Sequence, residues 1–195
     1  MSRRTIAGIS AALIAAIVAA GLFWYHLHPS AELERAAQAP LIGQAKLGET
    51  APSFTIDTTH GPFDLATIRR PVFLEIFATW CPHCQHEAPV IQRLYEHYRD
   101  RVAFLAIPGS TTGTDGQSPE SAFDVLNFAT RFHVTYPIAL YDPSLTVANA
   151  YLQGGFPTIA IIGRDKRIAY LNSGEVSYDD LARALDAVVN KVPPS

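Results

Sequence analysis

The run Val72-Phe73-Leu74-Glu75-Ile76-Phe77-Ala78-Thr79-Trp80-Cys81-Pro82-His83-Cys84 decides how the rest of the chain reads. Its first seven residues are apolar except for Glu75, the pattern of a short central parallel strand covered on both faces. From Cys81 or Pro82 to about Tyr98 the period becomes helical, with Val90, Ile91, Leu94, Tyr95 and Tyr98 on one stripe. Pro82 suits the first helical turn, where its missing N–H costs nothing. A strand therefore delivers Cys81 to a helix N-terminus, where free backbone N–H groups and the helix dipole favour a thiolate. Cys84 falls one turn later on the same face, within bonding reach. Such a pair suits dithiol–disulfide exchange: Cys81 attacks a disulfide, and Cys84 resolves the mixed disulfide by attacking Cys81. Protonated His83 would further stabilise the thiolate, which makes the pair's own disulfide more oxidising.

Composition narrows the alternatives. The chain has 195 residues, 15 basic and 18 acidic, with a formal net charge of −3. No polycationic surface suggests nucleic acid. Cys81 and Cys84 are the only cysteines, too few and too close to staple a small secreted scaffold.

Working outward, Phe54 to Asp57 and Gly61 to Leu65 read as a short hairpin, and Val102 to Ile107 as a second apolar strand. Ser118-Pro119 reads as N-cap and first residue of a helix to about Phe132. Tyr136 to Leu140 reads as a strand that Pro137 confines to an edge. A short helix over Leu145 to Tyr151 precedes a hairpin of Thr158 to Ile162 and Arg167 to Leu171. Ser177 then caps a last helix to about Asn190, with Asp180 placed for a capping box. This order predicts an α/β fold with a central mixed sheet flanked by helices.

The N-terminal stretch has a different character. Residues 1–4, with Arg3 and Arg4, precede an uncharged run over 5–27, about 30 Å long as a helix. Phe23, Trp24 and Tyr25 would form its interfacial belt. The reading is a transmembrane anchor rather than a cleaved signal, with the N-terminus cytoplasmic and the remainder on the outer face of the inner membrane, in the periplasm where there is one. Residues 28–46 form a linker and 47–195 the folded domain.

Phe77 to Cys84, followed by Glu87 and Pro89, resembles the Trp-Cys-x-x-Cys-x-x-Glu-x-Pro signature of TlpA/ResA-type membrane-anchored thioredoxins. Gly154-Gly155-Phe156-Pro157-Thr158 and the Gly163-Arg164-Asp165-Lys166 turn resemble that family's cis-proline loop and hairpin. The resemblance covers Leu47 to Asn190 and includes the helix and strand near Ser118 to Leu140 that the family inserts into the thioredoxin-like fold. It implies a cis Pro157 against the active site, with the backbone of Phe156 pairing with a substrate strand. It also implies a protein-disulfide oxidoreductase without a separate cofactor, acting on protein thiols or disulfides and drawing electrons from a transmembrane redox partner. Relatives of this type commonly reduce their substrates, whereas Cys-Pro-His-Cys itself resembles DsbA-type oxidants. Reduction is the favoured direction because the whole domain carries the first resemblance.

Glu75 departs from these relatives, which commonly have Asn there; thioredoxin has an acid. A buried carboxylate under the cysteines would have a raised pKa and could exchange a proton with Cys84. Trp80 is expected to shield the thiolate, and Glu87 to be a solvated or capping acid. The rival class is metal handling, copper included, through Cys81, Cys84, His83 and His86. No second Cys/His pair is spaced to close a tetrahedral site, so no metal is assigned.

Overall fold

Strand β3 (Val72–Phe77) is buried at all six positions, and its neighbours explain why. It pairs in parallel with β4 (Ala103–Pro108) and antiparallel with β5 (Thr158–Ile162), which pairs antiparallel with β6 (Ile168–Ser173). The sheet order is β4-β3-β5-β6, a mixed sheet with β3 inside it. These relations come from a computed structural model that describes residues 44–140, 142 and 144–191. The expected anchor at 5–27 and most of the linker lie outside the described residues. Among the described residues no helix is long and apolar enough to cross a membrane.

Alternation along β3 divides the core. Phe73 and Phe77 face the cluster packed by α1 (Pro82–Tyr98), α2 (Ala122–Arg131) and α4 (Tyr178–Val189). Val72, Leu74 and Ile76 face the other cluster, beneath α3 (Thr146–Tyr151) and the hairpin of β1 (Thr55–Thr58) and β2 (Gly61–Asp64). Side chains of this size contribute roughly 1.5–3 kcal/mol each when fully buried. Phe73 stacks on Phe104 at 5.0 Å between ring centroids, and Phe77 meets Phe128 of α2 at 4.9 Å. The Tyr98 hydroxyl donates to Asp186 Oδ1 at 3.0 Å, tying α1 to α4.

Four expectations are corrected. Ser118 does not cap α2. Its hydroxyl bonds Asp115 and its carbonyl accepts from Gly113 N–H, while Ser121 caps the helix in a full capping box with Asp124. Tyr136 to Leu140 forms two isolated bridges, Ile138 to Ala106 and Ala139 to Thr58, because Pro137 has no N–H to extend a ladder. The domain begins before residue 47: Ala45 is buried and donates to the Ala150 carbonyl at 2.9 Å. Ser177 caps α4, but the Asp180 carboxylate accepts from the Ser177 hydroxyl rather than from its backbone, so that capping box is half made. Ser121→Ala should therefore lower stability by about 1 kcal/mol and Ser118→Ala by no more than about half of that, read from urea midpoints.

Candidate active site

Chain direction places the two cysteines. β3 ends at Phe77, and Cys81 follows as N-cap of α1 with φ −75° and ψ 120°, extended rather than helical. Its N–H donates to the Ala78 carbonyl at 3.1 Å, and its own carbonyl accepts from Gln85 N–H at 3.1 Å. Pro82 opens the helix, and the first turn carries no acidic side chain. The free N–H groups there face no competing carboxylate of the same turn.

Exposure separates the two thiols, which are both free. Cys81 is 5% exposed and Cys84 fully buried. Burial first, then the nearby Glu75 carboxylate, pushes the Cys84 thiol well above its ordinary range. The Cys81 thiol points at the carbonyl of Phe156, 3.7 Å away, and the Phe156–Pro157 peptide bond is cis. Phe156 and Pro157 thus come to the cysteines from the far end of the chain, as the resemblance implies.

Aromatic groups wall this opening. The Trp80 indole N–H donates to Ser110 Oγ at 2.9 Å, and its ring stands edge-on to Phe156 at 6.1 Å. Gly109 lies beneath Phe156: a Cβ there would sit 2.6 Å from Ile76 Cγ2 and 3.0 Å from Phe156 Cε1. Thr79 donates to Glu120 Oε1 at 2.8 Å, so the loop before α2 braces the segment leading into Cys81. Burial raises the Glu120 carboxyl to about 7. Ser110, Gly109 and Glu120 carry no motif and lie 25 or more residues from the cysteines. Sequence reasoning had no signal for them.

His83 has a carboxylate partner. Its Nδ1 lies 2.5 Å from Glu175 Oε1, and that of His86 lies 3.6 Å from the same oxygen. Glu175 is held below the usual carboxylate range, chiefly by the His83 hydrogen bond. Among the described residues no hydrogen bond joins His83 to Cys81.

Two carboxyl groups lie on the inner side of the pair. Glu75 is 1% exposed, and burial, then repulsion from Glu87, raises its pKa to about 8. Glu87 was expected to be solvated or capping. It is 2% exposed, and both of its oxygens accept from Val176 N–H, at 3.2 and 3.4 Å. Burial raises it to about 7 against that hydrogen bond. Its spacing gives the signal that was missed: Glu87 lies three residues after the buried Cys84, on the same helix face. Among the described residues no group of three or more side chains could hold a metal ion.

Comparison with known proteins agrees with this geometry. The redoxin family profile matches residues 46–188. The thiol-disulfide oxidoreductase ResA of Geobacillus kaustophilus is 31% identical over 145 residues, which cover 73% of this chain and 78% of that protein. A thioredoxin-family thiol:disulfide interchange protein from Chlorobium tepidum superposes with a TM-score of 0.58 at 25% identity, covering 74% of this chain and 99% of the other. StoA from Bacillus subtilis shares the fold with a TM-score of 0.57 at 20% identity, over 68% of this chain and 96% of the other.

Proposed function

This chain belongs to the redoxin family as a ResA-type protein-disulfide oxidoreductase, and we propose that it reduces protein disulfides through Cys81 and Cys84 on the outer face of an inner membrane. The observation that carries the assignment of roles is the difference in access between the thiols: a sliver of Cys81 is exposed beside Phe156, and Cys84 is sealed. Only Cys81 can meet an incoming disulfide.

The exchange follows from those positions. The Cys81 thiolate attacks one substrate sulfur, the substrate S–S bond breaks, and the other sulfur leaves as a thiolate. Cys84 passes its proton to the Glu75 carboxylate and attacks Cys81 Sγ. The Cys81–substrate bond breaks, and the second substrate sulfur departs with its electron pair. The substrate has gained two electrons and the enzyme holds a Cys81–Cys84 disulfide, to be reduced by a membrane redox partner. No separate cofactor enters this cycle. Trp80 and Phe156 offer apolar walls for a substrate strand, and the Phe156 backbone lies where that strand could pair.

The Pro82-His83 dipeptide argues for oxidation instead, whereas the Glu175 contact supports the reductase reading. The partner of His83 Nδ1 is a carboxylate, so a protonated imidazole there is balanced locally and its pull on the thiolate is weakened. We infer that the 5–27 segment anchors the domain. The reduction potential of the Cys81–Cys84 couple tests the direction. A value near thioredoxin's roughly −270 mV is expected, and one near the roughly −120 mV of DsbA would make the protein an oxidase. The same measurement on Glu175→Gln should lie higher, toward the oxidising end, because it frees the imidazole. Extraction of membranes with alkaline carbonate tests the anchor: recovery of the full chain in the supernatant would exclude it.

A further inference from the structure

Buried polar groups in folded proteins nearly always have partners, so exceptions need a reason. Among the described residues four buried side-chain oxygens lack one, and three of them are the two carboxylate oxygens of Glu75 and the Tyr136 hydroxyl. The fourth, Glu120 Oε2, belongs to the brace on Thr79.

The first three lie on the same side of the sheet. Glu75 shares a strand face with Phe73 and Phe77, so it faces the cluster under α1. It is in register with Ala106 of β4, and Ala106 is bridged to Ile138, two residues beyond Tyr136. Tyr136 and Ile138 both belong to that cluster. Tyr136 is 2% exposed, and its ring packs edge-on against Tyr95 at 6.2 Å. The groups that act on Glu75 and Tyr136 are Cys84 and Glu87 of α1 and one another; no cation contributes. Each of these neighbours except Tyr136 opposes ionisation of Glu75 or is itself a thiol that must give up a proton. A carboxylate can only accept hydrogen bonds, and a tyrosine hydroxyl can donate one.

We propose that Tyr136 is a positioning residue for the exchange reaction, its hydroxyl donating to the Glu75 carboxylate and holding it for the Cys84 proton. Tyr136 keeps its own proton throughout, and Glu75 alone is protonated and deprotonated. The role explains why the inserted segment brings a tyrosine, rather than another apolar side chain, into an otherwise apolar cluster. It rests on the proton role proposed for Glu75.

The test uses the full chain with Tyr136→Phe, which keeps the ring that packs on Tyr95, its fold checked by thermal unfolding. Two readouts are taken on reduced protein: the carbon-13 titration of the Glu75 side-chain carboxyl, identified by its loss in Glu75→Gln, and the pH profile of mixed-disulfide resolution. The Glu75 midpoint is expected to rise by half a pH unit or more in Tyr136→Phe. The rising limb of the rate profile should move by the same amount, with the high-pH plateau unchanged within twofold. A Tyr136→Phe protein whose Glu75 titrates where the wild type does would overturn the assignment of Tyr136 alone. A Glu75→Gln protein with an unchanged rate profile would overturn the Glu75 role on which it rests.

Discussion

Cys84→Ala is expected to convert a turnover enzyme into a trap that stays covalently joined to its substrate. With Cys81 intact, the first attack proceeds and a mixed disulfide forms. Its resolution needs a second sulfur behind the first, and the alanine supplies none. The adduct should approach one substrate per enzyme on a non-reducing gel and disappear with dithiothreitol. Cys81→Ala should behave in the opposite way. The remaining Cys84 is fully buried, and its thiol is pushed above its ordinary range, so it can neither reach a substrate nor ionise to attack one. Turnover in insulin reduction should fall by at least about a thousandfold, with no adduct. Adduct formation in Cys81→Ala, or wild-type turnover in either variant, would contradict the division of roles.

The placement of the two sulfurs was legible in the sequence because it depends on local rules. An apolar strand, a proline at the first helical position and a three-residue spacing together specify an N-cap sulfur and a second one a turn deeper. The β5–β6 hairpin and the capped α4 were legible for the same reason. Readings failed where a competing partner, near or distant in the chain, decided the outcome. Ser118 and Ser121 both carry a cap-forming hydroxyl, and only the Asp115 and Gly113 contacts of Ser118 show which of them is already engaged. Tyr136 to Leu140 has the composition of a strand, yet β4 offers it only a bridge. Glu87 looked like a surface acid because a charged residue on a helix usually is one. It is buried, and it accepts from the backbone N–H of Val176, 89 residues away. Charged side chains in the core are set by their partners, and single-sequence periodicity does not see partners.

Glu75 is the other buried acid of this core, and it leads to the second large effect. Its carboxyl goes from 4.5 as an ordinary glutamate to about 8 in the fold, with burial as the main cause. A raised folded pKa means that the native state binds its proton more tightly than the unfolded chain does. The associated stability is therefore fully present below the unfolded pKa and is lost as pH rises through about 8. Between pH 5 and pH 9 that loss is roughly 4 kcal/mol, from about 1.4 kcal/mol per tenfold change in proton affinity. Glu75→Gln has nearly the same shape and cannot ionise. Its buried amide is poorly satisfied at every pH, which costs about 1–3 kcal/mol throughout and does not vary across the titration. Urea unfolding of the reduced protein should therefore show the variant no more stable than the wild type at pH 5 and more stable at pH 9. The difference should change by roughly 4 kcal/mol in between. Parallel pH profiles would mean that Glu75 is not held protonated by its surroundings, and its proposed exchange of a proton with Cys84 would lose its basis. If the profiles cross, the fold gives up stability under alkaline conditions for a carboxyl group at this position. Packing alone would favour an apolar residue between Phe73 and Phe77, and the proton exchange proposed with Cys84 would give a glutamate there its purpose.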